Sequence, residues 1–263
     1  TVVELIKNPI ERSKIYIHMK LLKNIERKIY PNFSFISSVS EVDTNYLKEN
    51  AHLKNIKTIP IPISNKLQNK KISHFEDIKN NPNGVRLLIV GSLNHQVISD
   101  DVCSVIINIL PKLTEKYPAF KSVILGRNSR KKLTNLAKNT ENIEKVDYVD
   151  DYLDFLDQDW IYLYPQKCAS GLQTKLQQAL AIGLPVIANP ISLGGLNLED
   201  QKHVFKCKNL DIMYNYIVDL IENPTKRIKI GKNASNHIRS SCSIEEIGNE
   251  YLNLYNHVIQ ENE

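Results

Sequence analysis

The chain has 263 residues, with 34 Lys+Arg against 29 Asp+Glu, a formal net charge of +5, and is 42% hydrophobic and 24% charged. Those values are ordinary for a soluble globular protein and exclude a disordered chain, which carries fewer apolar residues and more net charge. Nine glycines and eleven prolines exclude a collagen-like or low-complexity polymer, and no apolar run reaches the roughly 18–20 residues that span a bilayer. The four cysteines, Cys103, Cys168, Cys207 and Cys242, show no C-x-x-C pairing. They read as reduced, mostly buried thiols rather than a disulfide framework or a zinc ribbon. No signal peptide is visible, so the expected compartment is the cytoplasm. The chain opens on Thr1 rather than Met and reads as a piece of a longer one.

Charge is uneven. Residues 1–88 hold 15 basic and 8 acidic side chains, and the remainder 19 and 21. The surplus includes Lys14, Lys20, Lys23, Arg27 and Lys28, in a helix-like segment. It reads as a solvated helix face or as an attraction to an anionic membrane surface or phosphorylated acceptor, with peripheral membrane association as the corresponding expectation. Nucleic acid is disfavoured, because the aromatics do not interleave with the basic residues as a stacking surface requires.

In chain order, Ile15, Met19, Leu22, Ile25 and Ile29 recur at helical spacing, and Pro31 stops that helix. Residues 33–36 read as a short strand, Ser40 to Asp43 as an acidic helix start, and residues 56–59 as another short strand. The polar stretch 64–85, bounded by Pro82-Asn83-Gly84, reads as a linker. From Arg86 the pattern is cleaner. Leu87 to Val90 is a continuous apolar run, as expected of a strand buried on both faces of a parallel sheet. Helix is expected over 100–110, strand over 122–125, helix over 131–138, strand over 143–149 and a short helix over 151–156. Strands at 160–164 and 185–188 flank a helix at 172–181, a last strand is expected at 203–207, and three helices follow at 210–221, 226–240 and 245–260. This alternation predicts an α/β fold with a doubly wound parallel sheet. Ligands of such sheets bind outside the strands' carboxyl ends, here Gly91, Gly126, Val149, Pro165 and Asn189.

Ser170 and Gly171 precede the helix expected at Leu172. Ser-Gly here reads either as an ordinary helix cap or as a site where first-turn N–H groups and the dipole hold a phosphate or diphosphate, with Gly171, lacking a Cβ, letting the backbone approach an anion closely.

The block Gly171-x-Gln173-x-Lys175-x-x-Gln178-Ala179-x-Ala181-x-Gly183-x-Pro185-Val186 resembles the donor-site signature of GT-B glycosyltransferases, specifically glycosyltransferase family 4. Gly91-Ser92-Leu93, Ile109-Leu110-Pro111, Ile124-Leu125-Gly126, Val149-Asp150 and Gly195-Leu196 resemble the same family's donor domain in order. Residues 37–47 resemble the segment near the end of its acceptor domain. The resemblance implies a remnant of the acceptor-side domain at 1–63 with most of that domain missing, the linker at 64–85, a Rossmann-like donor-binding domain at 86–208 and C-terminal helices at 209–263 that cross back toward the N-terminal part. It further implies transfer of a hexosyl-type sugar, with retention, from a nucleotide diphosphate sugar to a glycan or lipid-linked acceptor. The nucleotide sugar is then a substrate, and no resident cofactor or metal is expected.

Carried over by position, the amides of Ser170, Gly171 and Leu172 face the diphosphate, Val149 and Asp150 lie near the nucleobase, Gln178 lies near the ribose, and Gly91 and Ser92 line the cleft floor. Lys175 matches a basic position of the signature, and Arg127, just past a strand end, is a candidate phosphate partner through its guanidinium fork. The chain departs from the family in three ways. The usual pair of glutamates falls on Ser170 and Gln178, no cation follows Gly91, and no catalytic residue is assignable because the acceptor domain's glycine-rich loop and histidine are missing. His18, His52 and His74 do not replace that histidine and are expected on the surface. His95 is an ordinary loop histidine, and Cys168 lacks a basic partner that would activate it. The alternative reading is therefore a non-catalytic GT-B-like accessory subunit that binds a partner protein or glycan. A nicotinamide-dependent oxidoreductase is disfavoured, since no G-x-G-x-x-G follows a strand.

Overall fold

The computed structural model describes residues 8–80, 84–168 and 171–260. Six parallel strands form the main sheet: β3 (Arg86–Val90), β4 (Ser122–Leu125), β5 (Ile143–Val146), β6 (Trp160–Tyr164), β7 (Val186–Ala188) and β8 (Phe205–Lys206), in the order β5-β4-β3-β6-β7-β8. A second, two-stranded parallel sheet pairs β1 (Ile36–Ser38) with β2 (Ile56–Thr58). Every residue of β4 and β6 is buried, as are the last four of β3. Their unbroken apolar runs follow from this, because helices cover both faces of the sheet. Leu87, Ile89, Ile124, Ile161 and Leu163 point to the core under α5 (Gln96–Asn108), α6 (Leu110–Lys116), α7 (Lys131–Lys138) and α10 (Leu210–Glu222). Leu88, Val90, Tyr162 and Val186 face the opposite core, shared with α8 (Tyr152–Leu156), α9 (Thr174–Ile182) and part of α11 (Pro224–Ser241). The α/β doubly wound architecture is as the alternation of the sequence implies.

Most boundaries fall within two or three residues of the apolar pattern, and the exceptions are informative. α5 begins at Gln96, four residues earlier than expected, with His95 as its exposed N-cap. Pro111 does not end a helix. It occupies the first turn of α6, where its missing N–H costs nothing. β5 stops at Val146 rather than Val149, which releases residues 147–149 as loop.

The stretch 64–85 is not a bare linker. Ser64 caps α3 (Asn65–Gln68), and α4 (His74–Asn80) follows. Leu67, Phe75, Ile78 and Val85 are buried and Ile72 is half-buried, which is why a polar composition still yields ordered structure. His74, expected on the surface, is fully buried. Its Nδ1 lies 3.0 Å from Asp157 Oδ1 and its Nε2 3.4 Å from the Gly183 carbonyl. Lys70 pairs with Asp154 at 2.7 Å, and the Ser73 hydroxyl donates to Asp157 at 2.8 Å.

In the N-terminal part, α1 (Pro9–Ile29) is capped by Asn8 and packs on α2 (Glu41–Ala51), where the Tyr46 hydroxyl donates to Glu26. Its other face is bare: Ile10, Ile17, Leu21, Leu22 and Ile25 are each more than half exposed. Ser40 caps α2 and exchanges hydrogen bonds with Asp43. This corner abuts the main sheet through two glycines. A Cβ on Gly195 would lie 2.6 Å from the Val39 carbonyl oxygen, and one on Gly194 3.0 Å from Val42 Cγ2. The last helix, α12 (Ile244–Gln260), meets the small sheet through the Lys57–Glu250 ion pair at 2.5 Å and an edge contact between Phe35 and His257. Among the described residues no helix is long and apolar enough to cross a membrane.

Two tests follow from this packing. α9 and α11 meet at Gly183 and Gly231, where a Cβ on Gly231 would fall 2.0 Å from the Gly183 carbonyl oxygen. Gly231→Ala is expected to cost roughly 3 kcal/mol or more in denaturant unfolding, because backbone has to move. Burial works against ionisation of Asp157, but the hydrogen bonds from His74 and Ser73 outweigh it and hold the carboxyl well below the usual range. Its contribution is complete above the unfolded value of about 3.9 and is lost as pH falls through the acid range. Asp157→Asn is expected to lose about 1–3 kcal/mol near neutrality and to flatten the fall of stability on acidification, measured by unfolding at stepped pH.

Candidate nucleotide-binding cleft

The chain runs outward from β3 to β4 and β5, then returns to place β6 on the other side of β3. That reversal leaves a crevice at the carboxyl ends of the strands, the usual ligand position in a doubly wound sheet. A cleft of about 420 Å³ lies there. Gly91, Ser92 and Asn94 after β3 form one part of its wall, and Gly126, Arg127 and Asn128 after β4 another. Asp147, Tyr148 and Val149 after β5, Tyr152 of α8 and Lys175 of α9 complete it.

The floor is backbone against backbone. A Cβ on Gly126 would sit 2.4 Å from the Gly91 carbonyl oxygen, and one on Gly91 2.9 Å from Gln166 Nε2. Both strands therefore end on glycine because the loops that follow pass too close for a side chain. Gln166 is buried and donates to the Val90 carbonyl at 3.3 Å, tying the loop after β6 to the loop after β3.

Two cations reach the cleft. The Arg127 guanidinium carbon stands 4.3 Å from the centre of the Tyr148 ring, within cation–π range. Lys175, on the first turn of α9, is pushed below its ordinary pKa by partial burial and then by the charge of Arg127. Among the described residues neither cation forms an ion pair with a carboxylate. Two unneutralised positive charges facing a cleft, beside the amino end of a helix, favour a bound anion of more than one charge.

The structure thus brings Gly91, Ser92, Arg127, Val149 and Lys175 together on one wall. Asp150, Gly171, Leu172 and Gln178 do not line this cleft, and Ser170 lies outside the described residues. α9 starts at Thr174, two residues later than expected. Leu172 is buried in the core and anchors the loop, while Gly171 adopts φ +62°, a left-handed value that suits glycine. A Cβ on Gly171 would lie 3.9 Å from Asp43 Oδ2, so this loop faces the N-terminal corner. Gln178 is half-buried in the middle of α9, and its neighbour Gln177 donates to the Ile61 carbonyl at 2.7 Å. Burial, then the nearby Asp101, pushes the Cys168 thiol up, the opposite of an activated thiolate. No cluster of three or more metal-ligating side chains occurs among the described residues.

Asn94, Asn128, Asp147, Tyr148 and Tyr152 escape the sequence reading. The available signal was position: each follows a strand end by a few residues, and Tyr148 was hidden by extending β5 to Val149.

The sheet order and the cleft at its switch point are those of a doubly wound α/β fold, the architecture that GT-B glycosyltransferases share. Residues 74–223, more than half of the chain, match the family described as Glycosyl transferases group 1, and the chain belongs to that family. The structure is similar to that of S. aureus TarM in complex with fondaparinux, alpha-GlcNAc-glycerol and UDP, with a TM-score of 0.72 at 20% identity over 90% of this chain and 46% of that one. A glycosyltransferase from Rickettsia africae gives 0.71 at 15% identity, covering 90% and 66%. Sucrose-phosphate synthase from Thermosynechococcus elongatus gives 0.72 at 16%, covering 92% and 62%. At these identities the likeness establishes a common fold, and the chain spans between about half and two thirds of each of these structures. No curated protein matches the sequence significantly.

Lys175 gives the cleft a pH signature. Its pKa lies below the ordinary 10.5, so affinity for inorganic pyrophosphate is expected to fall as pH rises through that lowered value, where the amine loses its charge. Lys175→Arg should keep its charge and flatten the profile, as calorimetric titration between about pH 7 and 10 would record.

Proposed function

We propose that the chain forms the donor-binding part of a retaining glycosyltransferase that moves a hexosyl-type sugar from a nucleotide diphosphate sugar to a glycan or lipid-linked acceptor. The observation that carries this reading is the pair of unneutralised cations, Arg127 and Lys175, converging with the amino end of α9 on a cleft at the sheet's switch point. Family membership gives the reaction class, and the titles of two fold neighbours name UDP as their ligand.

In this reading the bond from the anomeric carbon to the diphosphate oxygen breaks and a bond to the acceptor oxygen forms. The acceptor hydroxyl's proton passes to the departing diphosphate. Negative charge develops on the leaving group, and Arg127, Lys175 and the first-turn amides of α9 are placed to stabilise it. Tyr148 holds the Arg127 guanidinium over its ring, which limits the rotamer freedom lost on binding.

Calorimetric titration with UDP, GDP and ADP tests the reading. The protein is expected to bind at least one of them, and Lys175→Ala and Arg127→Ala are each expected to weaken that binding about tenfold, as removal of a charge-assisted contact does. Binding that ignores both substitutions would place the nucleotide elsewhere and favour the accessory-subunit reading.

A further inference from the structure

The loop between β7 and β8 brings Gly194 and Gly195 to the seam with residues 39–42, and two histidines hold that loop down. His203 is only 6% exposed, and its ring stacks on that of His237 from α11, with centroids 4.6 Å apart and planes at 18°. Each ring grips the main chain of the loop. The Glu199 N–H donates to His203 Nδ1 at 3.1 Å, and His237 Nε2 lies 2.9 Å from the Leu196 carbonyl oxygen.

These two contacts respond to acid differently. A carbonyl only accepts, so His237 Nε2 carries a proton and keeps its bond whether or not Nδ1 gains a second one. His203 Nδ1 accepts an N–H, so it holds no proton and the ring is neutral. A proton arriving there has to displace the Glu199 N–H. The loop depends on such ties, because Asn197 and Gln201 sit at φ +45° and +59°, left-handed values that side chains disfavour. Its other ties do not titrate: Gln201 N–H to the Val204 carbonyl at 2.7 Å, His203 N–H to the Glu199 carbonyl at 3.1 Å, and the Asn233 amide of α11 to the Lys202 carbonyl at 3.1 Å.

The surrounding charges favour the neutral ring. Burial, then His237, then Lys202 hold the His203 pKa below its ordinary value, and Glu199 acts against them. The Glu199 carboxylate is itself paired with Lys202 at 2.6 Å, and that of Asp200 accepts the Lys206 N–H at 2.8 Å.

We propose that the His203–His237 stack is an acid-sensitive latch: while His203 is neutral the loop stays pinned and the seam closed, and a proton on Nδ1 breaks the Glu199 bond, sets a charge against the His237 ring and frees Gly194 and Gly195 from the N-terminal corner. The inference is independent of what the cleft binds. Because the folded pKa lies below the unfolded value of about 6.5, the latch is complete above that value and weakens as pH falls through it.

Hydrogen exchange of the full chain, corrected for intrinsic rates and read at residues 39–42 and 194–204 between about pH 8 and 5, tests the latch. Ring resonances of both histidines, followed by NMR, give the titrations. Protection of both segments is expected to fall about tenfold on acidification, the order of one lost hydrogen bond, with a midpoint that follows His203. His203→Asn places an amide oxygen where Nδ1 stood and cannot take up a proton, so protection is expected to stay level. His237→Gln keeps a donor for the Leu196 carbonyl and removes the facing ring, so His203 is expected to titrate at a higher pH and the loss of protection to move with it. Protection in the wild type that ignores pH, a fall that persists in His203→Asn, or a midpoint unmoved in His237→Gln would each overturn the proposal. So would a loop that loosens while residues 39–42 stay protected. If His203→Asn fails to fold, the wild type and His237→Gln decide the matter.

Discussion

Helix α9 is held by a contact that admits no side chain. At its carboxyl end Gly183 turns with φ +85° against Gly231 of α11, so closely that a single methyl on Gly231 would overlap the Gly183 carbonyl. Leu176, Ala179, Leu180, Ala181 and Ile182 are all buried between the sheet and its neighbours. His74 and Phe75 close over the same turn, which is why the segment leading into the sheet is ordered. A helix fixed this firmly at one end presents its other end in a set place. The amino end lies at the sheet's switch point, and Lys175 inherits its position on the cleft from a crossing at the far end of the helix.

Electrostatics adds the second requirement. Buried or half-buried cations need partners, and elsewhere this protein supplies them: Arg227 pairs with Asp159 at 3.1 Å and Lys70 with Asp154, while Arg239 is held by the carbonyls of Ala181, Gln68 and Lys70. At the cleft it does not. Arg127 leans on an aromatic ring and Lys175 feels its charge, so two like charges face the cleft without a carboxylate between them, an arrangement that a bound anion relieves. Local departures from good folding practice of this kind are where function is expected to reside.

Much of the fold was legible because the sheet is parallel and covered on both faces. Continuous runs such as Leu87 to Val90 and residues 160–164 have few other structural meanings. The cleft was legible where it coincides with strand ends, as at Gly91 and Gly126, while Lys175 was named through the family signature. Tyr148 and Tyr152 were not, because their role depends on β5 ending three residues early, and nothing in the alternation of Ile143 to Val149 marks that stop. The segment around His74 was missed for a related reason: a handful of apolar side chains in a polar stretch gives no period, although each finds a groove on α9 or α11. His203 and His237 lie far apart in the chain, and sequence alone gives no hint that a ring on a loop stacks on one from a helix.

The seam between the N-terminal corner and the main sheet is made by Gly194 and Gly195 lying on residues 39–42. Gly195 rests on the main chain of Val39 and Ser40, whereas Gly194 leaves room for the Val42 side chain. A side chain added at either position would push the corner away from the sheet. Two residues without side chains thus set how close the halves can come.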